Sequence, residues 1–183
     1  VFSKTAGKAK ATGLVANYPK AELISNFNTP WAVNFDASQR GPEKPVVFET
    51  LIDWSTSEDE RIKHYSGTAF YNNTFKIDQL HTNKKITIDL GELTAMAKVT
   101  VNGNYAGGVW TAPYRLDITD FAKVGENELK IEVVNTWVNR VIGDMKLPKD
   151  ERQTWAPHLP YSAESPLQAS GLFGPVEILQ LRY

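Results

Sequence analysis

Strict alternation of apolar and polar residues is what most constrains the fold of this chain. Trp31, Val33 and Phe35 share one parity, with Ala32 and Asn34 on the other. Ile86, Ile88 and Leu90 alternate with Lys85, Thr87 and Asp89, and Val99 and Val101 with Lys98, Thr100 and Asn102. Tyr114, Leu116 and Ile118 alternate with Arg115, Asp117 and Thr119. The same rule runs through Leu129, Ile131 and Val133, through Val176 and Ile178, and through Ala69, Tyr71, Phe75 and Ile77. No long helical period competes with it. A strand with one apolar face must bury that face, and antiparallel strands commonly do so against a second sheet. About eight or more such strands predict an all-β fold, an antiparallel β-sandwich, in a single domain spanning 1–183.

Turn chemistry divides these runs. Asn102-Gly103 tolerates the positive φ values of a tight turn and predicts a hairpin pairing 98–101 with 105–110. Gly107-Gly108 inside the returning strand predicts a bulge or a close backbone approach. Gly125-Glu126-Asn127 reads as a turn before the Leu129 strand. Two short helices are expected: one from the Ser57/Glu60 capping box to about His64, and one turn capped by Thr119 through Phe121 and Ala122. Residues 1–25 (Gly7, Lys8, Lys10, Gly13, Lys20) are polar and weakly patterned, as a boundary segment would be. The chain opens on Val1-Phe2 without a basic-plus-apolar leader, so it reads as a piece of something longer. The stretch from Gly143 to Ser170 holds Pro148, Pro157, Pro160 and Pro166 and is too long for a routine hairpin loop. Its Trp155, His158 and Tyr161 argue that it packs onto something.

Composition narrows the chemistry. Twenty basic residues face 21 acidic ones, which gives no electrostatic reason to bind nucleic acid or an anionic membrane. The absence of cysteine excludes disulfides, thiolate metal sites and a cysteine nucleophile. His64, His81 and His158 lie far apart with no i, i+4 pairing, so no metal site is expected through them. There is no Gly-rich phosphate cradle and no Gly-x-Ser-x-Gly elbow. The sequon Asn72-Asn73-Thr74 falls inside a strand pattern and carries little weight. Asp53, Glu60, Asp89, Glu92, Asp117 and Glu132 mostly occupy polar strand parities or turns, where a solvated charge is the default. An active site held wholly within this chain is therefore not expected.

The aromatics say more. Trp110-Thr-Ala-Pro-Tyr114 lies where one strand gives way to the next, and Trp137-Val-Asn139-Arg140-Val-Ile-Gly-Asp144 follows the Leu129 strand. Flat aromatic faces stack on the C–H surfaces of sugars, while amide, Arg and carboxylate groups bind vicinal hydroxyls. Trp110, Tyr114, Trp137, Asn139, Arg140 and Asp144 are thus candidate carbohydrate-binding residues. The other reading makes Trp110 and Trp137 plugs between the sheets and Arg140–Asp144 an ordinary buried ion pair. The residues leave both open.

An ordered succession of motifs adds a resemblance. "SGTAFYNNTF", "IDLGELTAMAKVTVNGNYAGGVWTAPYRLDIT", "GENELKIEVVNTWVNRVIGD" and "SGLFGPVEI" resemble the sugar-binding-type β-sandwich of glycoside hydrolases. Their order is similar to that in family 2 enzymes such as β-galactosidases and β-glucuronidases. Trp31-Ala-Val-Asn-Phe35, the Trp137–Asp144 stretch and Gly171-Leu-x-Gly174-Pro175 look closer to the C-terminal domain of family 106 α-L-rhamnosidases. The resemblance implies a galactose-binding-like jelly roll joined to a catalytic (β/α)8 barrel that holds the catalytic carboxylates. It also implies that a loop after the Leu129–Asn135 strand reaches the substrate. By offset from Trp137, Asn139 is the match, with Arg140 and Asp144 beside it; some relatives have Asp where this chain has Asn139. The implied role is a non-catalytic accessory domain in polysaccharide degradation, with an oligosaccharide or polysaccharide and the catalytic domain as partners. An autonomous carbohydrate-binding module and a purely structural sandwich are the alternatives. No cofactor is implied beyond the structural calcium found in some domains of this fold, and the resemblance points to an extracellular or periplasmic setting.

Overall fold

The computed structural model describes residues 19–81 and 83–182; residues 1–18, most of the weakly patterned segment, lie outside the described residues. Twelve strands are described: β1 (Lys20–Asn26), β2 (Trp31–Phe35), β3 (Val46–Phe48), β4 (Thr68–Ile77), β5 (Lys85–Asp89), β6 (Glu92–Thr94), β7 (Met96–Val101), β8 (Asn104–Val109), β9 (Arg115–Asp117), β10 (Gly125–Val134), β11 (Gly171–Gly174) and β12 (Glu177–Arg182). Two helices join them, α1 (Glu60–Lys63) and α2 (Val138–Met145). A six-stranded sheet runs β3-β2-β4-β10-β7-β8, a four-stranded sheet β1-β12-β5-β9, and β11 pairs with β6. The ladders are antiparallel throughout. The apolar parities read from the sequence form the core: Val33, Tyr71, Val99 and Ile131 come from one sheet, Ile86, Ile88 and Ile178 from the other, all but sealed from solvent. The all-β sandwich is the observed fold.

The hairpin forms as read, with Asn102 at φ 50° and Gly103 at φ 79° between β7 and β8. Val99 pairs with Gly107 but Thr100 with Tyr105, so Ala106 is a bulged residue. A side chain on Gly107 would also meet Leu116 at 3.1 Å, so bulge and close approach coincide there.

Four local expectations need correction. Gly125, Glu126 and Asn127 begin β10 rather than forming a turn. The buried Asn127 side chain instead shapes the turn before it: its amide donates to Lys123 O and Gly125 O, and its carbonyl accepts from Lys123 N. Helix α1 ends at His64 as expected, but its cap is Asp59, whose carboxylate accepts from Arg61 N at 2.9 Å. Ser57 sits two residues earlier, and its Oγ accepts from Asp59 N. Thr119 does not cap a helix; Asp117 caps the turn, and Thr119 Oγ1 accepts from Ile86 N. Finally, part of the weakly patterned 1–25 segment is β1, an edge strand paired with β12 whose side chains are mostly exposed, so alternation leaves little trace in it.

Candidate functional site at the loop end of the sandwich

Strand register gathers the chemistry at one end of the six-stranded sheet. Phe35 at the end of β2 pairs with Ala69, and Thr68 at the start of β4 pairs with Val134 at the end of β10. Val134 also pairs with Met96 at the start of β7, and Ala97 with Val109 at the end of β8. The loops 36–45, 110–114 and 135–170 therefore leave the sandwich from the same end.

Helix α2 lies across that end, and its residues from Val138 to Asp144 are all buried. The helix was not expected from the sequence, although Val138, Val141, Ile142 and Met145 stand at i, i+3, i+4 and i+7. At eight residues it is too short for the pattern to stand out beside β10. Gly143 makes the seating feasible, because a Cβ there would lie 2.7 Å from His64 Cγ. His64 Nδ1 donates to Asn139 O at 3.2 Å, and Nε2 faces Glu60 and Lys146. Burial, and then the Lys146 charge, push the His64 imidazole below its ordinary range; Glu60 opposes them.

Two of the predicted ligand residues turn inward and clamp the long loop. Asn139 Nδ2 donates to Gln168 O at 2.7 Å, and Asn139 Oδ1 accepts from Gln168 N at 2.8 Å. Asp144 Oδ2 accepts from Gln153 N at 2.9 Å, Thr154 N at 2.7 Å and Thr154 Oγ1 at 2.8 Å. One helix thus fixes both ends of 153–168. Arg140 is buried and donates from Nη2 to Gln39 O at 3.2 Å. It does not form the simple ion pair with Asp144 that the sequence offered. The nearest cation across from Asp144 Oδ1 is Arg40, at 3.8 Å, while Asp144 Oδ1 and Arg140 Nε have no hydrogen-bond partner among the described residues. Burial pushes the Arg140 guanidinium below its ordinary range, the Asp144 charge opposes this, and the Arg40 charge adds to it.

The aromatics divide differently from the expectation. Trp110 is 72% exposed and Trp137 51% exposed, so neither plugs the core. Tyr114 is half-buried against the core, and no ring contact among the described residues joins it to Trp110 or Trp137. Trp137 instead meets Tyr161 edge-on, with centroids 6.5 Å apart. Trp155, beside the Asp144 clamp, is 85% exposed. Of the five tryptophans, Trp31 and Trp54 are core and the other three stand exposed at the loop end.

Most of the carboxylates considered for catalysis are engaged elsewhere. Asp53 Oδ1 accepts from Ser55 N and Ser170 N. Glu60 pairs with Lys63, Asp89 with Arg115, Asp117 with Lys85, and Glu132 with Lys98. Exposed pairs of this kind are ordinary surface electrostatics.

Comparison with known proteins agrees with this architecture. The profile described as "Glycosyl hydrolase 2 galactose-binding domain-like" matches residues 50–162. The chain belongs to that family of galactose-binding-like domains. A Formosa agariphila protein provisionally named a β-glucuronidase is 36% identical over 97% of this chain, which covers 17% of that protein. A β-galactosidase of Thermoanaerobacter pseudethanolicus is 35% identical over 60% of the chain and 16% of its own length. Among solved structures, a rhamnosidase from Novosphingobium sp. PP1Y superposes with a TM-score of 0.83 at 34% identity, over 91% of this chain and 16% of that one. A β-D-glucuronidase from Dictyoglomus thermophilum shares the fold at a TM-score of 0.58 and 18% identity, over 91% and 29%. The chain spans about a sixth of the length of the curated relatives it matches.

Proposed function

We propose that this domain is a non-catalytic accessory module of a glycoside hydrolase, docking its loop end on a catalytic domain of the same polypeptide. The observation that carries the reading is the split of the tryptophans, with Trp110, Trp137 and Trp155 exposed at the end that the buried helix α2 crosses. Exposed aromatic side chains on a pre-ordered surface are the usual anchors of an interface. The relatives' names and the small share of their length that this domain spans supply the partner, a much larger glycoside hydrolase body. In this reading Asn139 and Asp144 act through the loop they position, and Trp110, Trp137 and the 155–167 segment reach toward the partner and the edge of its substrate cleft. A stacking platform of Trp110, Tyr114 and Trp137 is disfavoured, because Tyr114 packs against the core and no ring contact among the described residues joins it to either indole.

The test is turnover by the 183-residue chain on aryl β-glucuronides, β-galactosides and α-rhamnosides. No turnover is expected. Hydrolysis abolished by changing a carboxylate in this chain would refute the reading.

A further inference from the structure

A pocket lies away from the loop end, where the chain crosses from β1 in one sheet to β2 in the other. Its volume is about 430 Å³, within the roughly 300–1,000 Å³ span of small-molecule sites. The floor is apolar and aromatic: Phe27, the edge of Trp31, Phe173 and Val176. Phe27 and Trp31 are 4.9 Å apart between centroids, and Phe27 meets Phe75 edge-on at 5.9 Å, so the floor is tied into the core. Leu51 closes one wall by packing on Gly174, where a Cβ would come within 2.8 Å of it.

The rim is polar and uncommitted. Asn26 and Glu177 are cross-strand partners of β1 and β12, so their side chains leave on the same face. Asn28 and Glu49 complete the rim from the loops after β1 and β3. Asn72 and Asn73, in the groove on the outer face of the six-stranded sheet, are already hydrogen-bonded to Ala32 and Thr29. The rim groups of the flank pocket have no such side-chain partner among the described hydrogen bonds and ion pairs. Glu49 is exposed and Glu177 half-buried, whereas a glycosidase acid needs a carboxyl sheltered in an apolar pocket. The pair therefore has the chemistry of recognition rather than hydrolysis.

We propose that this flank pocket binds one neutral pyranose residue of a glycan. Its C–H face lies on Phe27 and Phe173, and its hydroxyls donate to Glu49 and Glu177 and bond with Asn26 and Asn28. Two carboxylates at the rim repel an anionic sugar, so a hexuronic acid is excluded. The site is independent of the docking reading, since β2 enters beside this pocket and leaves at the loop end.

The experiment is an NMR titration of the 183-residue chain with methyl glycosides of galactose, glucose and rhamnose, and with glucuronate. Saturable shifts at Phe27, Asn28 and Phe173 are expected with at least one neutral glycoside at about millimolar concentration, with glucuronate about tenfold weaker or silent. Glu177→Ala is expected to weaken binding about tenfold or more, and the loop variant Asn28→Ala to weaken it without touching a strand. No saturable shift at the pocket up to about 50 mM overturns the proposal. So does preference for glucuronate, or a response to Ca²⁺ alone that no sugar reproduces.

Discussion

Replacing Asn139 by Asp tests the clamp more sharply than deleting the side chain, because only the donor is lost. In the native protein the amide donates to Gln168 O at 2.7 Å while its carbonyl accepts from Gln168 N at 2.8 Å, in a site that is 2% exposed. In Asn139→Asp the second bond survives and the first becomes a carboxylate oxygen against a carbonyl oxygen. An unsatisfied buried acceptor costs about 1–3 kcal/mol, and an anion sealed beside it costs more. We expect a net loss of about 2–4 kcal/mol at pH 8, and therefore a Tm lower by about 5–15 °C for a domain of this size. The pH dependence has a definite sign. Burial and the facing carbonyl raise the new carboxyl above its unfolded value near ~3.9. The protonated acid donates to Gln168 O as the amide did, so its contribution is present at low pH and lost as pH rises through the folded pKa. The deficit relative to wild type should thus shrink from pH 8 toward pH 5, as read by thermal denaturation at matched pH. Faster proteolysis within 153–168 at pH 8 should accompany it. A variant as stable as wild type at pH 8 would refute the clamp and return Asn139 to the role of a ligand contact.

Further outcomes follow from other contacts. Burial and Lys146 hold His64 below its unfolded value of 6.5, so the unfolded chain takes up a proton that the folded one refuses. Stability should therefore fall as pH drops below 6.5, and His64→Asn should flatten that slope in denaturant titrations. Gly171→Ala places a Cβ at φ +96° and 2.5 Å from the fully buried Trp54 indole, which donates to Tyr71 Oη at 2.7 Å. Backbone strain and overpacking, about 1–3 kcal/mol each, should lower stability by about 3 kcal/mol or more in urea unfolding. Trp110→Ser and Trp155→Ser should change stability by no more than about 0.5 kcal/mol, whereas Trp54→Ala should cost about 3–5 kcal/mol. Similar costs at all three positions would contradict the division of tryptophans between core and surface.

The scaffold was legible because two-sided strands write their burial into the sequence. Val99 and Val101 or Ile86 and Ile88 face the core at the parity their spacing dictates, and Asn102-Gly103 makes its turn wherever the strands lie. The site was less legible, since an amide or a carboxylate looks the same whether it meets a sugar or a backbone. Asn139 and Asp144 carried the right chemistry for hydroxyl recognition, but Asn139 is taken up by Gln168 and one oxygen of Asp144 by Gln153 and Thr154, residues that no local pattern pairs with them. Exposure of Trp110 and Trp137 likewise depends on where α2 and the 146–170 loop lie, which no local pattern encodes. The flank pocket was not legible because its parts come from 26–31, 49–51 and 173–177, three segments brought together only by the crossover between sheets.

Hydroxyl-radical footprinting of Trp110, Trp137 and Trp155 tests the proposed docking face directly. The 183-residue chain is compared with a polypeptide that also carries the catalytic domain. All three indoles should be oxidised readily in the chain alone and protected when the catalytic domain is present, with Trp54 inert in both. Equal oxidation of the three in both samples would contradict the assignment of the loop end as the face that meets the catalytic partner.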